Sequence, residues 1–140
     1  MANRNAGRNP TPEQPLAPKR ATLLQSFVYA AQGIVYTVQT QRNMRIHVVI
    51  GVLAIAAGLW LHISPVEFAM VFVAITGVVI SEMFNTVAEA CVDLATNDFH
   101  PLAKIAKDVA AGAVLLNALL SVVIGLLVFG PHLLAFVRHR

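Results

Sequence analysis

Residues 65–95 read PVEFAMVFVAITGVVISEMFNTVAEACVDLA, and their length and apolar character indicate the class of fold. It is long and apolar enough for a membrane-spanning helix, because about 20 apolar residues suffice to cross a bilayer. Just before it, Ser64 can accept from an early helical N–H while Glu67 reaches back, the pattern of a capping box. Residues 96–98 read Thr-Asn-Asp and end the helix. A long transmembrane helix is therefore predicted over 65–95.

Two further apolar runs flank this helix and predict two more spans, at about 44–62 and 101–130. Pro101 opens the second of them, and proline suits the first turn of a helix. Upstream, residues 21–40 carry apolar side chains on one helical face and glutamines and tyrosines on another, which is typical of an amphipathic surface helix. A helix packed on the bundle is the alternative. The predicted fold is an all-α membrane protein with three transmembrane helices and an N-terminal surface helix.

The composition supports a membrane protein of one domain. Hydrophobic residues make up 57% of the 140 residues and charged residues 12%, against about 25% charged in an average soluble domain. Residues 1–19 are polar and rich in proline, which predicts a disordered tail without a signal peptide. The folded domain is predicted over 20–137. Cys91 is the only cysteine, so it has no partner for an intrachain disulfide.

Lysine and arginine are concentrated before the first span, and this predicts the orientation. Six basic residues precede the apolar run that begins at Ile46, while the turn after that run has none. Basic flanking segments favour the cytoplasmic side, so the N-terminus is predicted to be cytoplasmic. Nucleic-acid binding is a poor alternative, because the basic residues form no dense stripe interleaved with aromatic residues.

Polar residues share one face of the 65–95 helix. At 100° per residue they fall within an arc of about 100°; they are Glu82, Asn85, Thr86, Glu89 and Asp93. A charged side chain in a spanning helix is costly and indicates a functional site. The structural alternative is that these groups only bridge helices.

The depth of these residues places them near one membrane surface. From Pro65, a rise of 1.5 Å per residue puts Glu82 at about 26 Å and Glu89 at about 36 Å, against a hydrocarbon core of about 30 Å. Measured from Gly130, Lys107 lies about 35 Å along the next helix. Lys107 and the following aspartate are therefore expected to face the carboxylates.

Such a set of residues can perform phosphoryl transfer. Two carboxylates can hold Mg²⁺ together with the phosphates of a nucleotide, and a lysine can neutralise phosphate charge. Another carboxylate can accept the proton of an attacking hydroxyl. A site at the interface suits a lipid whose hydroxyl lies at headgroup level.

Two motifs in the chain resemble those of the prokaryotic diacylglycerol kinase family. The first is Glu82-x-x-Asn85-Thr86-x-x-Glu89-x-x-x-Asp93, and the second is His100-Pro101-Leu102-Ala103-Lys104-x-Ala106-Lys107-Asp108-x-Ala110-Ala111-Gly112-Ala113-Val114. They occur in the family's order and spacing, and the resemblance covers about residues 20–130. Arg42-Asn43-Met44-Arg45-Ile46-His47 and His100-Pro101-Leu102 are similar to the undecaprenol kinase branch.

The resemblance implies a homotrimeric lipid kinase of the bacterial inner membrane, with MgATP entering from the cytosol between subunits. It implies Glu82 as general base, Glu89 as Mg²⁺ ligand, and Asn85 and Asp93 as supporting residues. Its nucleotide contacts correspond to Tyr29, Glu89, Asp98, His100, Lys107 and Asp108. Its lipid contacts correspond to Ser26, Asn43, Arg45 and Glu82.

Gln41 is a departure from this family. The family has a second metal-binding glutamate at this position, and a glutamine offers an oxygen ligand without a charge. The expected function is ATP-dependent phosphorylation of a membrane lipid alcohol, undecaprenol or diacylglycerol. The alternative is a weak or silent relative with a structural or lipid-binding role. A proton or ion carrier is disfavoured, because polar groups do not continue across the span. His47 and His62 are interpreted as interfacial residues near helix ends.

Overall fold

The computed structural model describes residues 22–96 and 98–138, which form four α-helices. These are α1 (Leu23–Thr40), α2 (Arg42–Leu61), α3 (Pro65–Ala95) and α4 (Pro101–Arg138). The described residues contain no strand, and α2, α3 and α4 are each long and apolar enough to cross a membrane. The predicted all-α membrane fold with three spans and a preceding helix is confirmed. The predicted tail, residues 1–19, lies outside the described residues.

Capping boxes begin α1 and α3. The Ser64 N–H donates to Glu67 Oε2 over 2.7 Å, and the Glu67 N–H donates to Ser64 Oγ over 3.3 Å. Thr22 and Gln25 make the same pair of bonds at the start of α1. Each box satisfies N–H groups that have no partner inside the helix. The predicted start of α3 is therefore confirmed, and so is the capping box of Ser64 and Glu67 that was expected to form it.

A tight turn at His62 joins α2 to α3. His62 adopts the left-handed conformation with φ of 52°, and the Ile63 N–H donates back to the Gly58 carbonyl over 3.2 Å. Ile63 thereby folds over the end of α2. A Cβ at position 58 would lie 2.9 Å from Ile63 Cδ1, so glycine makes this close approach possible.

The helix α4 continues beyond Gly130, the predicted limit of the last span, through Pro131 to Arg138. Proline removes one hydrogen bond from a helix interior, but two contacts hold the continuation. His132 Nε2 lies 3.0 Å from Glu67 Oε1, and the rings of Trp60 and Phe136 meet edge-on at 5.2 Å. These contacts to α2 and α3 were not visible from local sequence signals.

The helices pack unequally. The most extensive contact is between α3 and α4, α2 packs mainly on α3, and α2 barely touches α4. A small buried cluster of Ile63, Val71 and Val128 closes the end of the bundle near the α2–α3 turn. Most large apolar side chains point outward, and side chains such as these suit contact with lipid acyl chains. α1 is exposed except at its C-terminal end, where Thr37 is buried, as expected for a surface helix.

Candidate functional site

The predicted polar face of α3 is buried in its middle section. Glu82, Asn85 and Thr86 are all buried, and Glu82 is only 1% exposed. Thr86 Oγ1 donates to the Glu82 carbonyl over 2.9 Å, and Asn85 Nδ2 donates to Glu89 Oε1 over 3.0 Å. The second bond orients the half-buried Glu89 carboxylate. The Glu89 carboxylate is thus held by a neighbour one helical turn away, whereas the Thr86 bond goes to the main chain of Glu82 and leaves its carboxylate free of that contact.

Glu82 lines an open groove of about 280 Å³ between α2 and α4. Its Oε2 has no hydrogen-bond partner among the described residues. Buried polar atoms are rarely left unpaired, because desolvation without a partner costs free energy. Such an atom is therefore available to a substrate. The other lining residues of this Glu82 groove are Asn43, Ile46, His47, Ala111, Val114, Leu115 and Ala118.

A second cleft, of about 350 Å³, lies at the α3–α4 loop and brings together four of the residues predicted to contact nucleotide. These four are Asp98, His100, Lys107 and Asp108. The His100 ring accepts the Leu102 N–H at Nδ1 over 3.2 Å, which fixes the ring at the first turn of α4. The structure thus confirms the proximity of these four residues, while their role in binding stays a prediction.

Both lysines of this loop cleft are paired with carboxylates. Lys107 Nζ lies 2.6 Å from Asp93 Oδ1, and Lys104 pairs with Asp108 one turn along α4. The predicted convergence of Lys107 with the α3 acids is therefore confirmed, but at Asp93 rather than level with Glu89. The reason is that the loop over 96–100 is short. It pairs Lys107 with an α3 residue one helical turn nearer the loop than the residue that the depth measured from Gly130 had predicted.

The two openings share one face of α4. Along α4, Lys107 is followed by Ala111, Val114 and Ala118 at intervals of four, three and four residues, which keeps them on one face. Lys107 lines the loop cleft and the other three line the Glu82 groove, so the two openings follow one another along α4. On α3, Glu82, Glu89 and Asp93 share a face in the same way, and Glu89 lies between the other two along the helix.

Several predicted site residues do not reach either opening within one chain. Tyr29 and Ser26 lie on the exposed face of α1 and line neither the Glu82 groove nor the loop cleft, and Arg45 is exposed on α2. Ser26 Oγ donates locally to the Thr22 carbonyl over 3.2 Å. Gln41 is half-buried at the junction of α1 and α2.

Another groove crosses the opposite side of the α3–α4 pair. Most of its lining residues are glycine, alanine or serine, with Ile80 and Phe84 beside them, and it contains the amide of Asn85, whose Oδ1 is buried without a hydrogen-bond partner among the described residues. Asn117 Oδ1 lies 3.5 Å from the position of a Cβ on Gly77. Small residues with amides are typical of surfaces where membrane helices pack closely.

His47 is a residue that sequence reasoning missed. The sequence places it near the end of a span without a role in the site, and the structure shows it half-buried and lining the Glu82 groove beside Asn43. The spacing of four residues between Asn43 and His47 was the available signal, since it places both on one helix face.

The described residues contain no group of three or more His, Cys, Asp or Glu side chains able to hold a metal ion. Glu89 offers one carboxylate, already oriented by Asn85. This donor set does not form a complete protein cage. It fits Mg²⁺, which is commonly held by one or two carboxylates together with substrate phosphates.

Comparison with known proteins relates the chain to lipid kinases. The family model described as prokaryotic diacylglycerol kinase matches residues 28–129. The chain is 43% identical over 109 residues to the undecaprenol kinase of Bacillus subtilis. The aligned residues cover 78% of this chain and 89% of that protein. It is 45% identical over 116 residues to a diacylglycerol kinase of Synechocystis, covering 82% of this chain and 66% of that protein. A diacylglycerol kinase of Helicobacter pylori is 27% identical over 113 residues.

Proposed function

The chain belongs to the prokaryotic diacylglycerol kinase family, and from this premise we propose that it transfers the γ-phosphate of ATP to the hydroxyl of a membrane lipid alcohol. Undecaprenol and diacylglycerol are the two proposed acceptors, because relatives are named for each. The observation that carries the proposal is the Glu82 carboxylate, buried in a groove with Oε2 unpartnered.

In the proposed reaction, Glu82 accepts the proton of the lipid hydroxyl as the oxygen attacks the γ-phosphorus. The new bond joins the lipid oxygen to phosphorus, and the bond from phosphorus to the β,γ-bridging oxygen breaks. ADP leaves with that electron pair. Because general bases must lie within hydrogen-bond reach of the proton they accept, the acceptor hydroxyl is expected to enter the Glu82 groove.

We further propose that ATP occupies the loop cleft with its phosphates directed along α3 toward Glu82. Val92 lines the loop cleft ten residues after Glu82, which corresponds to about 15 Å along a helix. That distance suits an extended nucleoside triphosphate. Lys107 would leave Asp93 to neutralise phosphate charge, as charge-assisted bonds to phosphate are strong.

Mg²⁺ is proposed as the metal ion of the reaction. Glu89 lies between the loop cleft and Glu82 and would hold the ion together with the nucleotide phosphates, and Gln41 is the proposed additional oxygen ligand. When bound, the ion supplies positive charge that offsets the charge of the transferring phosphoryl group. Asn85 keeps the Glu89 carboxylate in place through its hydrogen bond.

A homotrimer in the bacterial inner membrane, with a cytoplasmic N-terminus, is the proposed assembly. Two observations support more than one copy: Tyr29 and Ser26 lie on an exposed α1 away from both openings, and Asn85 Oδ1 is buried without a described partner in a groove of small residues. A neighbouring subunit would supply α1 to the site. The basic residues before α2 support the orientation.

The test is a side-by-side assay of the purified full chain with undecaprenol and with diacylglycerol, each with radiolabelled ATP and with or without Mg²⁺. The proposal expects Mg²⁺-dependent labelling of at least one lipid. Absence of labelling with both would contradict it and favour the silent alternative, which rests on Gln41. Mass measurement of the intact particle, corrected for detergent, tests the trimer independently.

A further inference from the structure

The environment of Glu82 contains one side chain whose role is still unassigned. His47 lies on α2, is half-buried and lines the Glu82 groove. It also lines a neighbouring apolar groove that runs along α2, α3 and α4 toward Phe129. His47 therefore borders both grooves.

His47 has the chemistry to assist the Glu82 carboxylate. A carboxylate buried among apolar groups needs hydrogen-bond donors to remain ionised at low cost. Most of the groove is lined by side chains without a hydrogen-bond donor. These are Ile46 of α2 and, from α4, Ala111, Val114, Leu115 and Ala118. Asn43 is exposed at the mouth of the groove. The imidazole is thus the half-buried donor in this groove.

The charged groups around Glu82 are few. The other titratable residue that lines the Glu82 groove is His47 from α2, and Glu89 lies seven residues further along the same face of α3. α4 presents no titratable side chain to the Glu82 groove, and no described residue of α1 lines it. Glu89 repels an ionised Glu82, so His47 is the group here that can offset that repulsion.

Building on the proposed kinase function, we propose that His47 is a positioning residue for Glu82. A ring N–H of His47 donates to one carboxylate oxygen, and the other oxygen is left to accept the proton of the lipid hydroxyl. The imidazole keeps its own proton throughout, so the hydroxyl proton ends on Glu82 while the new oxygen–phosphorus bond forms. Oriented neighbours of this kind fix the geometry of the group that reacts.

The test compares three variants of the full chain in the lipid phosphorylation assay. His47→Leu removes the donor and is expected to lower kcat by about 10- to 100-fold, the effect of losing one hydrogen bond to a charged group, with KM for ATP unchanged. His47→Gln and His47→Asn keep an N–H donor, and at least one of them is expected to recover most of kcat. His62→Asn is the matched control, because it changes a histidine in the α2–α3 turn and should leave kcat unchanged.

The pH profile separates positioning from packing. Without the donor, ionisation of Glu82 becomes harder, so the acid limb of kcat in His47→Leu is expected to move to higher pH. The proposal is overturned if His47→Leu keeps the native kcat. It is also overturned if all three His47 variants lose kcat equally and the acid limb of the pH profile does not move. If His47→Leu does not assemble, as judged by size-exclusion chromatography, the kcat of His47→Gln and His47→Asn decides.

A readout without turnover distinguishes this inference from the kinase proposal. Apolar carbodiimides react with protonated carboxyl groups in membranes, and peptide mass spectrometry can report the rate of labelling at Glu82 in the native protein and in His47→Leu. Faster labelling of Glu82 in His47→Leu than in the native protein supports the positioning role. If, in addition, neither lipid is phosphorylated, the proposed kinase function fails while the positioning role stands. Equal labelling rates in the native protein and His47→Leu overturn the positioning role.

Discussion

Asp93 Oδ1 and Lys107 Nζ lie 2.6 Å apart and join α3 to α4 near their connecting loop. At the other end of the pair, Glu67 Oε1 and His132 Nε2 lie 3.0 Å apart. Residue numbers sum to 200 in the first pair and 199 in the second, so the two helices keep one antiparallel register along their shared length. That register aligns the loop cleft with the Glu82 groove.

Replacing Lys107 tests the nucleotide end of this arrangement. We expect Lys107→Gln to raise KM for ATP by about 10- to 100-fold, because a bond between two charged groups contributes about 1.5–3 kcal/mol. KM for the lipid should change little. Arg138→Gln, which removes a positive charge at the far end of α4, is the control. A nucleotide KM equal to the native value would remove Lys107 from the binding site.

Glu82→Gln tests the proposed base. The amide cannot accept the hydroxyl proton, so kcat should fall by about 100-fold or more, while the oligomer remains intact in size-exclusion chromatography. Glu67→Gln is the matched control, since it makes the same change at the outer end of α3. Full activity of Glu82→Gln would show that another group takes the proton.

Gln41→Glu tests the departure from the family pattern. A second carboxylate near the metal should strengthen Mg²⁺ binding, so the Mg²⁺ concentration for half-maximal activity is expected to fall and activity at low Mg²⁺ to rise. Gln39→Glu adds the same charge two residues away on the exposed part of α1 and should have a smaller effect. Identical Mg²⁺ titrations for the native protein and Gln41→Glu would mean that position 41 does not hold the ion.

Gly51→Val tests how closely α2 and α3 pack. A Cβ at position 51 would lie 3.0 Å from Ile75 Cγ2, a methyl group that cannot move without rotating a β-branched side chain. We expect a loss of about 1–3 kcal/mol, typical of overpacking, seen as a lower midpoint of thermal unfolding in detergent. Gly33→Val is the control, because nothing lies within 4 Å of a Cβ there.

Glu67 serves both the capping box and the contact with His132, and two substitutions separate these roles. Glu67→Gln keeps the reciprocal cap and should alter thermal stability little. Glu67→Ala removes both the cap and the His132 contact and should lower the midpoint of thermal unfolding. Both should retain kcat, because position 67 lies about 22 Å along α3 from Glu82. Equal unfolding midpoints for the two variants would show that the cap does not stabilise α3.

Local signals predicted α3 well, and long-range contacts explain the differences elsewhere. Ser64 and Glu67 fix the start of α3 through bonds between residues three apart, so sequence alone revealed them. The end of α4 depends on contacts of its last turns with α2 and α3, which no local pattern carries. The partner of Lys107 depends on the length of the α3–α4 loop, and a depth measured from the other end misplaced it by one turn.

The candidate site shows the same division between local signals, which the sequence reveals, and long-range contacts, which it does not. The acids of α3 share a face because helical geometry requires it, and the loop residues follow one another in sequence, so both groups could be identified. His47 belongs to a different helix, and its proximity to Glu82 depends on how α2 rotates against α3. A single sequence contains no direct signal for that rotation.

The unequal packing of the spans has a consequence for biogenesis. Since α3 makes its most extensive contact with α4, and α2 hardly touches α4, a nascent chain that has inserted only α1 to α3 lacks most of its interhelical surface. Insertion of α4 therefore completes most of the contact between helices, so the bundle gains most of its packing only at the end of synthesis.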